Sequence, residues 1–174
     1  LSVFFARGEQ LNSAEELLKE ADRLAWLKAW VRAEPMFAEA ERQFALRGDR
    51  RNELYAQIGK LRGQLPRLPA LLVSQRLSEY LENPIVQTDL ALRLRCLVVK
   101  GETDEDIDPA LAEQAWKEAL ELAQRMGESA WANRARGELG IVAALQGDIN
   151  AGIVGMMGAV RVAESNGDIP SQVR

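Results

Sequence analysis

The chain has 174 residues, of which 47% are hydrophobic and 28% charged, the balance of a soluble globular domain. It contains no histidine and one cysteine, which excludes Ser-His-Asp and Cys-His catalysis, histidine metal ligands and an internal disulfide within this chain. The net charge of −4 argues against nucleic acid as a partner. No apolar run approaches the ~20 residues of a membrane span, so we expect no membrane contact and a reducing, cytoplasmic location.

Four helices are predicted in the first half of the chain. Ser13 and Glu16 have the spacing of a capping box, which opens the first helix. The second helix is expected to end at Gly48, because glycine adopts the left-handed conformation that closes a helix. Two further helices follow over 52–64 and 70–81.

The second half of the chain begins with Asn83 and Pro84, a cap followed by proline at the first helical position. They predict a helix that reaches about Lys100. The acidic residues 101–108 (GETDEDID) are predicted to form a solvated loop. Three more helices follow, and turn residues mark their ends at Gly127, Gly147 and Gly167.

The acidic loop places Asp104, Asp106 and Asp108 at alternate positions, which resembles the start of a calcium-binding loop. The rest of that motif is missing. Pro109 stands where the sharp turn requires glycine, and Ala115 stands where the bidentate glutamate belongs. We therefore predict no metal site and no cofactor.

A register of a small residue, a bulky residue four later, a small residue at +7 and glycine at +15 recurs along the chain. Its copies are Ala33-Phe37-Ala40-Gly48, Ala112-Trp116-Ala119-Gly127 and Gly152-Met156-Ala159-Gly167. Leu71 is the corresponding first position of the second unit, where a small residue is expected. Eight helices on a period of about 40 residues indicate an all-α solenoid of about four antiparallel hairpins.

This organisation predicts one helical-repeat domain over 13–174, preceded by a lead-in segment, 1–12, that we interpret as the end of a preceding element. The four units are about 13–49, 50–83, 84–127 and 128–168. No polar capping helix closes the array, so we interpret the chain as part of a longer protein.

Three glycines lie in the last predicted helix, at positions 152, 155 and 158. Each weakens a helix by ~1 kcal/mol relative to alanine. Two interpretations remain open: either a neighbouring helix approaches closely there, or this helix is ordered by something outside the segment.

Several short motifs resemble the tetratricopeptide-repeat family. Leu139-Gly140 followed by Gly147-Asp148 is similar to the family's first helix and turn, and Tyr55-x2-Ile58-Gly59 is similar to the start of its signature. The period is longer than the family's 34 residues and is similar to that of arrays in bacterial regulatory proteins. The resemblance implies a right-handed superhelix that binds a protein or peptide in a concave groove lined by the first helix of each hairpin.

The groove positions that the resemblance implies are spread over three units. They are Glu53, Ala56, Lys60, Arg95, Val98, Arg134, Gly137 and Ile141. Independently, residues 42–76 contain eight basic and two acidic side chains, and residues 101–128 contain two basic and nine acidic ones. The asymmetry gives the chain a basic half around residues 42–76 and an acidic half around residues 101–128. It predicts that an acidic partner binds the basic half, through Arg50, Arg51, Lys60, Arg62 and Arg67. The alternative is that these charges simply form the solvated face of the helices.

Two functions remain open, and catalysis by this segment is not among them, because it has no nucleophile–base pair, phosphate loop or metal set. The first is a scaffold that binds a protein or peptide. The alternative is a signalling sensor that controls an attached catalytic or DNA-binding domain of the same chain. The single cysteine, Cys96, lies in an apolar helix and is predicted to be buried filler.

Overall fold

The structure, a computed structural model, describes residues 13–167, and this part of the chain is helical without strands, as the sequence predicts. The predicted lead-in segment 1–12 lies outside the described residues. Within them, no helix is both long enough and apolar enough to cross a membrane. The described helices are α1 (Ala14–Trp26), α2 (Trp30–Arg47), α3 (Arg50–Gly63), α4 (Ala70–Leu81), α5 (Pro84–Thr88), α6 (Leu90–Asp104), α7 (Pro109–Met126), α8 (Ser129–Leu145) and α9 (Ile149–Ser165).

The local signals at the helix ends are confirmed. The Ser13 hydroxyl accepts a hydrogen bond from the Glu16 amide at 3.2 Å, and the Glu16 carboxylate accepts one from the Ser13 amide at 2.9 Å, which completes the capping box of α1. Gly48 and Gly127 have φ of 70° and 73° and end α2 and α7 in the left-handed conformation.

The predicted helix from Pro84 to about Lys100 is wrong, because it divides into α5 and α6. The Asp89 carboxylate accepts a hydrogen bond from the Leu92 amide at 2.9 Å and so caps a new helix. The described residues therefore contain nine helices where the sequence predicted eight.

The predicted solvated loop over 101–108 is also wrong in its first half. Residues 101–104 continue α6 and are buried. Burial is favoured because Gly101 lies against the Trp116 ring, where a Cβ atom would come within 2.6 Å of it. Asp104 pairs with Lys100 at 2.9 Å, one turn earlier on the same helix. Only residues 105–108 form the turn before α7.

The carboxylates that resembled a calcium loop have separate roles. Asp104 is buried beside Lys100, Asp106 is exposed and pairs with Arg62 at 3.1 Å, and Asp108 caps α7 by accepting from the Ala110 amide at 2.9 Å. Among the described residues, no group of three or more acidic or cysteine side chains is arranged to hold a metal ion.

Helices pack mainly against their neighbours in the chain, and α6 also packs against α3 and α4. The repeating register corresponds to core positions in two of its copies, since the small and bulky residues of α2 and α7 are at most 1% exposed: Ala33, Phe37, Ala40, Ala112, Trp116 and Ala119. In α9, Gly152 is buried, while Met156 and Ala159 are half-buried. Leu71 is 56% exposed, so the register does not describe the buried face of α4. Cys96 is fully buried, as predicted.

Candidate binding site

The five cations that were predicted to bind an acidic partner each pair with a carboxylate of this chain. The pairs are Arg50 with Glu53 at 2.6 Å, Arg51 with Asp89 at 2.9 Å, Arg62 with Asp106 at 3.1 Å, Arg67 with Glu34 at 2.7 Å, and Lys60 with Glu41. Four of the five acids lie outside residues 42–76. The positive charge counted along that segment is therefore balanced in space by acids from other elements.

Arg95 of α6 lies inside the structure, although the resemblance places it in a groove. Its side chain is 3% exposed, and its guanidinium carbon stands 5.1 Å from the ring centres of Phe37 and Tyr55 and 5.5 Å from that of Trp30. The counter-ion is Asp22 of α1, whose Oδ1 lies 3.1 Å from Arg95 Nη2. Three helices thus hold one arginine between aromatic faces.

Gly59 of α3 makes room for this arrangement. A Cβ atom at Gly59 would lie 2.8 Å from Arg95 Nη2 and 2.8 Å from the Phe37 ring. A larger residue there would push the arginine from its place. The Ile58-Gly59 pair, which the resemblance used as a family motif, therefore has a specific packing role in this chain.

The groups around Arg95 are strongly affected by burial. The Tyr55 hydroxyl donates a hydrogen bond to Asp22 Oδ2 at 3.1 Å, and burial raises the pKa of Tyr55 to about 12. Burial also raises the pKa of Asp22, against the opposing effect of the Arg95 charge. Within the described residues, Arg95 Nη2 makes an ion pair with Asp22, and neither Nε nor Nη2 of Arg95 makes a hydrogen bond.

A cavity of about 110 Å³ lies beside Arg95 between α3, α6 and α8. It opens to solvent at Ala91 and Glu128, which are both exposed. Its other lining residues are Tyr55, Leu94, Arg95, Met126 and Trp131. The cavity therefore combines mostly apolar walls with one buried cation.

A second buried charge cluster is centred on Glu102, which is 1% exposed near the end of α6. Its carboxylate accepts a hydrogen bond from Trp30 Nε1 at 2.7 Å and another from Arg134 of α8. The Arg62 guanidinium lies 3.8 Å away. Glu102 thus connects α2, α3, α6 and α8 through polar groups.

Arg134 also connects α8 to the last residue of α1. It donates a hydrogen bond to the Trp26 carbonyl oxygen at 3.3 Å, and its guanidinium carbon lies 4.9 Å from the Trp26 ring centre and 5.5 Å from that of Trp131. In the same region Lys28 pairs with Glu138 at 2.9 Å. Contacts between residues 108 positions apart therefore join α1 to α8.

Glu105 borders this cluster and is expected to titrate near neutral pH. It accepts a hydrogen bond from Trp116 Nε1 at 2.9 Å. Burial, with added repulsion from Glu138 and Glu102, raises its pKa to about 7, while the Trp116 hydrogen bond and Lys28 oppose the shift. The folded chain therefore holds this proton over a pH range in which an unfolded chain has lost it.

We expect the free energy of unfolding to fall as the pH rises from about 4.5 to about 7, because only the folded state binds the Glu105 proton there. Replacing Glu105 with glutamine keeps an acceptor for Trp116 and removes the titration. The difference between wild type and Glu105→Gln should change by roughly 2 kcal/mol between pH 5 and pH 8, in favour of the variant at pH 8. Urea unfolding at both pH values measures this, and a pH-independent difference would contradict it.

Three of the groove positions in the last unit come together at a smaller cavity between α8 and α9. Arg134, Gly137 and Ile141 line this space of about 90 Å³. Asn133 lies at the same cavity and donates a hydrogen bond from Nδ2 to the Ala159 carbonyl oxygen at 2.9 Å. Other predicted groove positions do not line this cavity: Ala56 and Val98 are buried in the core, and Glu53 pairs with Arg50.

The end of α8 and the helix α9 also expose an apolar surface, which we call the α9 surface. Its members are Leu145, Ile149, Ile153, Val154, Met157 and Val162, each between 37% and 74% exposed. No charged residue lies between Asp148 and Arg161, so the surface is uncharged along three turns of α9. Clusters of exposed apolar side chains are a feature of protein interaction sites.

Sequence reasoning placed Arg95 and Arg134 among candidate site residues but not inside the structure, and it missed Asp22, Glu102 and Trp131. One signal was present: Arg95 stands within an apolar run, LALRLRCLVV, where a charge needs a partner. No protein-family model, curated protein or solved structure matches this chain.

Proposed function

We propose that this chain is a non-catalytic protein-binding module whose helix hairpins stack as a tetratricopeptide-like solenoid, and that a partner docks on the α9 surface. The observation that supports this most strongly is the uncharged apolar face of α9. Burying one apolar side chain of this kind stabilises a complex by roughly 1.5–3 kcal/mol, so removing the α9 surface from water is favourable.

The partner that fits this surface is an amphipathic helix with an uncharged apolar face. The helices of this chain pack mainly on their sequence neighbours, and among the described residues α8 is the helix against which α9 packs extensively. Cations of the basic half such as Arg50 and Arg51 already pair with carboxylates of this chain. An acidic flank of the partner could therefore bind them only if those ion pairs broke.

A displayed library of amphipathic helices, selected on the wild-type chain, would test this proposal. Selected helices should lose at least tenfold in affinity for the double variant Ile153→Glu and Met157→Glu, because charges would enter the apolar contact. Leu46→Glu is the matched control, since Leu46 is an apolar side chain on α2 that is 75% exposed. Binding that survives the α9 variant but is lost in Arg51→Glu would instead place the partner on the basic half.

A second candidate is the sensor module of a longer signalling protein. The observation that favours it is the cavity beside Arg95. Trp131 of α8 forms part of the cavity wall, and α9 packs against α8. A ligand in this cavity would then change binding at the α9 surface. Measuring helix affinity with the cavity filled and empty separates the two candidates.

A further inference from the structure

We propose that the cavity beside Arg95 binds the carboxylate of a small organic acid with an apolar substituent, and that Arg95 is the residue that recognises it. The site is distinct from the α9 surface and does not depend on a protein partner. It brings together side chains of three helices, with Tyr55 from α3, Arg95 from α6 and Trp131 from α8.

Arg95 is buried, and its Nε and Nη2 atoms make no hydrogen bond within the described residues, although Nη2 lies 3.1 Å from Asp22 Oδ1. A guanidinium carries five N–H donors and stays charged inside proteins. The rings of Trp30, Phe37 and Tyr55 surround the group, with centres 5.1–5.5 Å from its central carbon, and cation–π contacts of this kind use no N–H hydrogen bond. A fixed cation with unsatisfied donors is prepared to bind a planar anion.

Asp22 compensates this cation only in part. It is the ion-pair partner of Arg95 at 3.1 Å, but it makes no hydrogen bond with it, and its other oxygen accepts from the Tyr55 hydroxyl. Burial also raises the Asp22 pKa, so its charge is itself unfavourable in this environment. A carboxylate in the cavity would supply the acceptors that Asp22 does not.

The walls of the cavity indicate the rest of the ligand. Leu94, Met126 and Trp131 offer apolar surface, on which water molecules would find few partners. The volume of about 110 Å³ compares with ~30 Å³ for one water in the liquid, so it admits a branched chain of a few carbons. A short branched acid would place its chain against these side chains and its carboxylate at Arg95.

The charges at the opening favour one negative charge over two. Glu128 lies at the rim and Asp22 lies beside Arg95, so a phosphate dianion would meet two carboxylates with a single guanidinium to offset them. A monocarboxylate is repelled less, and its planar group matches the guanidinium.

Isovalerate and its neutral isostere isovaleramide test this proposal, with titration calorimetry and the total tryptophan fluorescence, to which Trp131 contributes, as readouts. Saturable binding of isovalerate in the millimolar range or below is expected, with isovaleramide at least about tenfold weaker. Arg95→Lys should weaken isovalerate about tenfold, because lysine keeps the charge and loses the planar fork. Arg93→Lys on the same helix is the matched control and should bind normally.

Ala91→Leu keeps the test decisive if Arg95→Lys folds poorly. Ala91 is exposed at the rim, so leucine there fills the opening without disturbing the core and should abolish binding. A blocked peptide, acetyl-Gly-Glu-Gly-amide, distinguishes a peptide carboxylate from a free acid. The proposal is overturned if isovalerate does not saturate, if isovaleramide binds equally well, if Ala91→Leu binds normally, or if only the peptide binds.

Discussion

Replacing Arg134 with alanine is expected to lower the free energy of unfolding by about 3–5 kcal/mol, among the largest effects of any single substitution in this chain. Arg134 is 2% exposed on its side chain and pairs with Glu102, which is 1% exposed. Without the arginine, Glu102 remains buried with only the Trp30 hydrogen bond and the more distant Arg62. The variant also loses the stacking of Arg134 on Trp26. Urea unfolding followed by circular dichroism measures the change.

Arg42→Ala is the matched control for this substitution. Arg42 also pairs with a glutamate, Glu39, at 2.6 Å, but its side chain is 59% exposed. Exposed pairs of this kind contribute less than about 1 kcal/mol, so the control should be nearly as stable as wild type. Adding Glu102→Gln to Arg134→Ala should recover part of the loss, because it removes the uncompensated charge. Equal losses for Arg134→Ala and Arg42→Ala would show that the buried cluster does not hold α2, α3, α6 and α8 together.

The helices were predictable because their limits are set by a few adjacent residues. Ser13 with Glu16, Gly48 and Gly127 each act through hydrogen bonds or backbone conformation within one turn of the chain. Prediction from adjacent residues failed at Asp89, where a single capping carboxylate starts a new helix within a segment that was predicted to be one continuous helix. It failed again at Glu102, whose burial depends on partners from other helices.

The interior charges could not be predicted, because their partners are distant in sequence. Glu102 and Arg134 are 32 residues apart, and Arg134 contacts the Trp26 carbonyl oxygen across 108 residues. The same limit applies to the charge asymmetry, in which the acids that balance the basic half come largely from other segments, such as Glu34 and Asp106. Charge counted along a chain does not give the charge of a surface.

The Gly140→Ala variant should lose about 2 kcal/mol of stability, although alanine is the better helix former. A Cβ atom at Gly140 of α8 would lie 2.9 Å from the Met156 nitrogen and 3.0 Å from the Gly152 oxygen, which are both backbone atoms of α9. Backbone cannot rotate out of the way as a side chain can, so α8 and α9 would have to separate. The two helices pack against each other over their length. We expect their separation to destabilise the chain by more than the ~1 kcal/mol by which alanine improves helix propensity.

Gly158→Ala in α9 should have the opposite effect on stability, because a Cβ atom at Gly158 would meet nothing within 4 Å. It should raise the free energy of unfolding by ~1 kcal/mol through helix propensity alone. The packing of α8 on α9 decides between the two interpretations of the α9 glycines. A Cβ atom added at Gly152 or Gly155 would also come within 3.0 Å of α8 atoms. Close approach of the helices thus accounts for these two glycines, and Gly158 belongs to the outer side of α9. If thermal unfolding found both alanine variants stabilised, the backbones of α8 and α9 would have to lie further apart than this packing requires.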